Sequence, residues 1–191
     1  MYYGGSLAEA NDFQGEDIAI VGGANSAGQA AVHFARFART VTLLVRGDTL
    51  ATGMSSYLVQ QIAELPNVEV RTGCAVTAVA GDGHLERVEV ADAAGRGVLA
   101  VSGLFVYIGA EPHTDWLDGM VLRDPRGFLL TGPQVADGRA WPEERAPLLL
   151  ETSLPGVFAA GDVRSRSVKR VASAVGEGAI AVQLVHEYLR F

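Results

Sequence analysis

Asp17-Ile-Ala-Ile-Val-Gly-Gly-Ala-Asn-Ser-Ala-Gly28 is the stretch that decides how this chain is read. An apolar run of strand length breaks into a glycine turn, and small residues of helix-forming character follow at once. Gly22 and Gly23 allow a tight turn with close approach of the backbone to a ligand, and a helix starting near Asn25 aims its unpaired N–H groups and positive dipole end at the same point. That arrangement is how a dinucleotide pyrophosphate is held. Measured against G-x-G-x-x-G the string departs at one place, because Ala24 occupies the second glycine position. Ser26 and Ala27 complete the candidate loop. The same residues also serve as an ordinary strand–helix turn of an α/β protein, so the context has to decide between the two.

The context is a βαβ unit. A helix-length segment runs to about Ala38, and a second apolar strand, Val41-Thr-Leu-Leu-Val45, ends in Arg46. In such units the residue closing the second strand selects the ribose. An acidic group there accepts hydrogen bonds from a 2′-hydroxyl, whereas the forked guanidinium of Arg46 suits a 2′-phosphate, so the expected nucleotide is NADPH. The alternative is that Arg46 is a solvated surface residue.

The chain has 191 residues, 23 of them glycine, and 49% of it is apolar, enough for one large or two small domains with a real core. A net charge of −7 argues against nucleic acid as a partner. No run of about 18 uninterrupted apolar residues or leader peptide is read, so no membrane role is expected. Cys74 is the single cysteine, which excludes an internal disulfide framework and suits a reducing cytoplasm. It is read as a structural thiol.

Further along, the pattern predicts a helix around Met54–Leu65, a strand at Val68–Arg71, and a meander at Ala75–Val79, Leu85–Ala91 and Gly97–Val101. Leu104-Phe-Val-Tyr-Ile108 reads as a buried strand returning to the sheet, with Gly109 at its exit. Residues 1–10 are expected as a linker, 11–108 as a nucleotide-binding domain and 109–191 as a second unit. The latter has predicted strands at Gly127–Leu130 and Gly156–Ala160, a polar insertion over Gly132–Pro147, and a helix from about Ser167 to Leu189. So few elements make a thin core. Val171, Val175, Ile180, Val182, Leu184, Val185 and Leu189 cannot all be covered from within.

Taken together, the glycine turn, the return strand Leu104–Ala110 and Pro155-Gly-Val-Phe-Ala-Ala-Gly-Asp-Val163, followed by Lys169-Arg-Val-Ala172 and Gly176-Glu-Gly178, resemble the thioredoxin-reductase-like branch of the pyridine nucleotide-disulfide oxidoreductases. The resemblance covers nearly the whole chain. It implies an α/β architecture: a Rossmann-like NADPH-binding domain carrying a β-meander, then the C-terminal portion of a split FAD-binding domain. It implies hydride transfer from NADPH to FAD, with the cofactors as the reacting groups. It also implies that Gly161, Asp162, Lys169, Arg170 and Val171 lie at the FAD, the last helix turning its N-terminus toward the flavin. A turn or cap role for Asp162 stands beside this.

Two departures accompany the match. The FAD-gripping half that precedes the NADPH domain in that family is not in this sequence, so FAD is expected only if another segment or a second chain supplies it. A homo-oligomer is expected from the uncovered apolar helix. The family's Cys-x-x-Cys aligns with Gly5 and Ala8, so the usual dithiol relay is not expected. A non-catalytic NADPH-binding or scaffold module is the rival reading. His33, His84, His113 and His186 have neither metal-ligand nor triad spacing and are read as structural or surface residues. The basic cluster Arg164, Arg166, Lys169 and Arg170 is read as a solvated helix start, with contact to cofactor phosphate or the flavin edge as the alternative.

Overall fold

The computed structural model of the chain describes residues 1–4, 9–136 and 141–190. Gly5 and Ala8, the positions aligned with the redox cysteines, lie outside them, as does part of the Gly132–Pro147 insertion. The chain divides into two compact units, Met1–Gly109 and Ala110–Phe191.

The first unit is built on a parallel sheet. Its elements are β1 (Tyr2–Tyr3), β2 (Asp17–Val21), α1 (Asn25–Phe34), β3 (Thr40–Leu44), α2 (Ser56–Ala63), β4 (Val68–Arg71), an antiparallel meander of β5 (Ala75–Ala80), β6 (Arg87–Asp92) and β7 (Gly95–Ala100), and β8 (Gly103–Val106). The sheet order is β1-β8-β2-β3-β4, every pair parallel. Because side chains alternate across a strand, Ile18 and Ile20 face the helices with Phe34, Leu58 and Ile62. Ala19 faces the meander with Val88, Val90 and Leu104. Both faces are covered, so the central strands read as unbroken apolar runs.

Several elements differ from the sequence expectation in informative ways. Tyr2 and Tyr3, expected in a linker, pair with Phe105 and Val106, and the Tyr2 ring stacks on Phe105 at 5.0 Å. Helix α1 stops at Phe34, four residues before Ala38. Asp17 pins the β2–β3 register: it accepts from Thr40 Oγ1 at 2.7 Å and Arg39 Nε at 2.9 Å. The Arg39 guanidinium, then Thr40, hold its carboxyl down to about 2. Cys74 is buried, and burial pushes its thiol up.

The second unit is irregular. Among the described residues its regular elements are α3 (Pro133–Ala136) and one long helix, α4 (Val171–Tyr188), with short 3-10 turns at Asp115–Leu117 and Gly161–Val163. The strands expected at Gly127–Leu130 and Gly156–Ala160 are isolated bridges only: Leu129 with Arg123 and Arg164, and Phe158 with Glu151. Neither segment has a partner strand alongside it for more than one residue, and a small cluster forms from Val121, Leu129 and Ala159. Helix α4 begins at Val171 rather than Ser167 and buries none of its residues. Val171 is 83% exposed and Val175 68%, in line with the thin core expected.

Candidate functional site

In the first unit, β2 delivers the chain to its C-terminal edge and Gly22 turns it. Gly22 adopts φ 148°, and an added Cβ there would lie 2.5 Å from the Tyr107 carbonyl oxygen and 2.9 Å from the Ala27 Cβ. Its N–H donates to Leu44 O at 3.0 Å, so the turn is tied to the next strand. A Cβ on Gly23 would meet Val45 Cγ1 at 2.9 Å. The turn is therefore closed to side chains from below. Above it Ala24, Asn25 and Ser26 are exposed. No side chain caps α1, which leaves its first-turn amides open to an anion.

Asn25 does more than begin the helix. Its Oδ1 accepts from Ser55 N at 2.8 Å, fixing the segment that leads into α2. That segment passes close to the turn, since a Cβ on Gly53 would sit 3.0 Å from Gly23 O. Gly28, one turn into α1, faces Met54, with an added Cβ only 2.7 Å from its Sδ. Gly28, Gly53 and Ser55 thus shape the site although sequence reasoning missed them. The sequence signal was the turn-like Thr52-Gly-Met-Ser55, 30 residues from the partner it serves. Arg46 follows Val45 directly, is exposed, and makes no ion pair or hydrogen bond through its side chain among the described residues. Gly109 takes φ 88° with nothing near its Cβ position.

In the second unit Gly161, Asp162, Lys169, Arg170 and Val171 come together around the start of α4. Gly161 has φ 79°, and a Cβ there would stand 3.1 Å from the Ala174 Cβ. Its N–H donates to Glu177 Oε2 at 2.6 Å. Glu177 also takes Arg164 in a fork, Nε at 3.0 Å and Nη2 at 2.6 Å. Arg164 continues to Thr131 Oγ1 at 2.7 Å. The guanidinium, helped by the Gly161 amide against burial, holds the Glu177 carboxyl below the usual range.

In the structure Lys169 ties its own loop. Its ammonium donates to Asp162 O at 2.6 Å, Arg164 O at 2.9 Å and Ser167 Oγ at 2.8 Å, and it lies 4.2 Å from the Phe128 ring centroid. Three donors are thereby spent on its own loop. Burial lowers its pKa, opposed by Asp162. So the basic cluster is not a solvated helix start throughout, because Arg164 and Lys169 are structural ties. Asp162 is exposed, its carboxylate making no hydrogen bond among the described residues. No side chain caps α4 at Arg170. Among the described residues no cluster could hold a metal ion, and no helix is long and apolar enough to cross a membrane.

A parallel sheet with a glycine-closed turn at the C-terminal edge of its central strand, an uncapped helix beyond it, and a meander on the opposite face give the first unit a Rossmann-like α/β fold. The chain belongs to the pyridine nucleotide-disulphide oxidoreductase family, whose model matches residues 5–178. It is 36% identical over 180 residues to an alkyl hydroperoxide reductase component of Pseudomonas putida, covering 93% of this chain and 31% of that protein. It is 34% identical over 175 residues to a thioredoxin reductase of Pneumocystis jirovecii, covering 88% of this chain and 48% of that one. The crystal structure of T. acidophilum thioredoxin reductase superposes with a TM-score of 0.69 at 28% identity, over 94% of this chain and 55% of that chain. The chain therefore spans about a third to a half of the length of these relatives.

Proposed function

We propose that this chain is the NADPH-binding portion of a thioredoxin-reductase-like flavoprotein oxidoreductase, acting in hydride transfer from NADPH to FAD within the complete protein. The observation that carries the reading is the Gly22 turn, where backbone at φ 148° and a carbonyl at 2.5 Å leave no room for a side chain under an uncapped helix start. When bound, the nicotinamide and the flavin supply the hydride donor and acceptor.

The residues fit a pyrophosphate in the first unit. Gly22 and Gly23 keep the turn low, and the amides of Asn25, Ser26 and Ala27 face the anion with the helix dipole behind them. Arg46 supplies the cation for a 2′-phosphate, which makes NADPH the proposed nucleotide. The residues also fit a flavin at the start of α4: open first-turn amides at Val171 favour negative charge on a reduced ring, and the Asp162 carboxylate is available to hydroxyl or amide donors. Glu177, Arg164 and Lys169 hold that loop in place. We further propose that the remaining FAD contacts come from outside residues 1–191 or from a second chain, and that the exposed side of α4 is covered there or by self-association.

Without a redox disulfide aligned at Gly5 and Ala8, the acceptor beyond the flavin is not a dithiol reached by the usual relay. A second reading, a non-catalytic NADPH-binding module, is favoured by one observation, that α4 buries none of its residues. One experiment decides: an absorbance spectrum of the purified chain with and without FAD, followed by NADPH, with calorimetry of each ligand. Flavin bands that bleach on NADPH support the reductase core. NADPH binding with no flavin bound supports the module. No binding of NADPH refutes both.

A further inference from the structure

Helices α1 and α2 flank an open groove of about 400 Å³ lined by Asn25, His33, Arg36, Ser55, Tyr57 and Leu58 among others. We propose that it binds a small organic carboxylate carrying a short apolar chain. Among the described residues no carboxylate lines the groove, although the chain as a whole carries a net charge of −7. Its polar lining consists of donors and amides instead.

Arg36 is exposed, and its guanidinium has no ion pair or hydrogen bond among the described residues. It offers the planar fork that a carboxylate takes in two parallel hydrogen bonds. The Tyr57 side chain is exposed and without a hydrogen bond as well. His33, three residues before Arg36, packs against the rings of Phe34 and Phe37 at 5.9 and 5.3 Å, and its Nε2 is buried without a partner. The uncapped starts of both helices meet at the Asn25–Ser55 hydrogen bond and add positive potential. Leu58 and Val32 give the apolar chain a floor, and the volume lies in the range of small-molecule sites.

The groove is joined to the nucleotide turn. Asn25 lines it and also holds Ser55, beside the Gly53–Gly23 approach. An occupant that stiffens this contact changes the turn, so carboxylate and NADPH should alter each other's affinity by the same factor. This coupling rests on the NADPH reading, whereas carboxylate binding does not.

The test is a titration of the full chain with sodium hexanoate, followed by amide NMR shifts, with hexanol and hexylammonium chloride as controls at matched ionic strength. Expected are saturable shifts confined to residues 25–36 and 55–61, absent with hexylammonium, and weakened about tenfold or more in Arg36→Ala. Shifts that do not saturate by about 10 mM, equal binding of hexanol, or an unchanged Arg36→Ala variant overturn the site. Strict competition with NADPH also overturns it, because the groove is then part of the nucleotide site. Saturable hexanoate binding in a chain that does not bind NADPH leaves the groove standing and removes the nucleotide reading.

Discussion

Replacing Gly22 by Ala separates two physical costs that a glycine can hide. At φ 148° a Cβ is strained whatever the space around it, which costs about 1–3 kcal/mol. The second cost is steric. The new methyl would lie 2.5 Å from Tyr107 O, and that carbonyl cannot retreat cheaply because Tyr107 N donates to Val21 O at 2.7 Å. Forcing an atom into such a packed place costs about 1–3 kcal/mol more. Gly95→Ala is the closer control. It has φ 127° and nothing within 4 Å of its Cβ position, so it carries strain without collision.

Both tryptophans, Trp116 and Trp141, lie in the second unit, so tryptophan fluorescence would report the wrong half. Amide hydrogen exchange of β2 and β3 reads the first unit directly, at about 1.4 kcal/mol per tenfold loss of protection. Gly22→Ala should lose about tenfold to a hundredfold more protection than Gly95→Ala, and NADPH binding should fall with it. Equal losses in the two variants would refute the claim that close approach, rather than backbone conformation alone, requires glycine at this turn.

Other outcomes follow from individual side chains. Arg46→Ala should weaken NADPH about tenfold to a hundredfold in calorimetry while leaving NADH nearly unchanged, and equal losses for both would remove the 2′-phosphate role. Arg145→Ala should destabilise the second unit by about 3–5 kcal/mol in urea, because Glu151 is fully buried and Arg145 holds both its oxygens at 2.7 Å. Glu177→Gln should lose about 1–3 kcal/mol at neutral pH. The folded carboxyl lies below its ordinary 4.5, so its contribution is full above that value and fades as pH falls through the folded one. The gap between wild type and Glu177→Gln should therefore close in acid, and a pH-independent gap would sink the ion-pair account. For Asp17, an NMR titration should find a midpoint of about 2, rising toward the usual carboxylate range in Arg39→Ala.

Whatever depends on neighbours along the chain could be read before any fold was known. Strands of a parallel sheet buried on both faces are continuous apolar runs, so β2, β3 and β8 were legible to within a residue or two, as were the alternating edge strand β4 and the glycine turn with its following helix. The meander was legible from alternation and turn residues. In the second unit the same signals misled. Gly127–Leu130 and Gly156–Ala160 look like strands, yet a ladder needs a neighbour along its length and only single bridges form. Folding also assigned the roles of polar side chains. In sequence Lys169 is one basic residue among several, and only the folded loop shows its three donors engaged locally. Asn25 and Ser55 are 30 residues apart, and Gly161 and Glu177 16 apart, so no local pattern announces either hydrogen bond. Backbone conformation and burial are set by periodicity, which a sequence carries in its own order. Hydrogen-bond partners are set by which loops arrive at the same place, and only the folded chain brings them there.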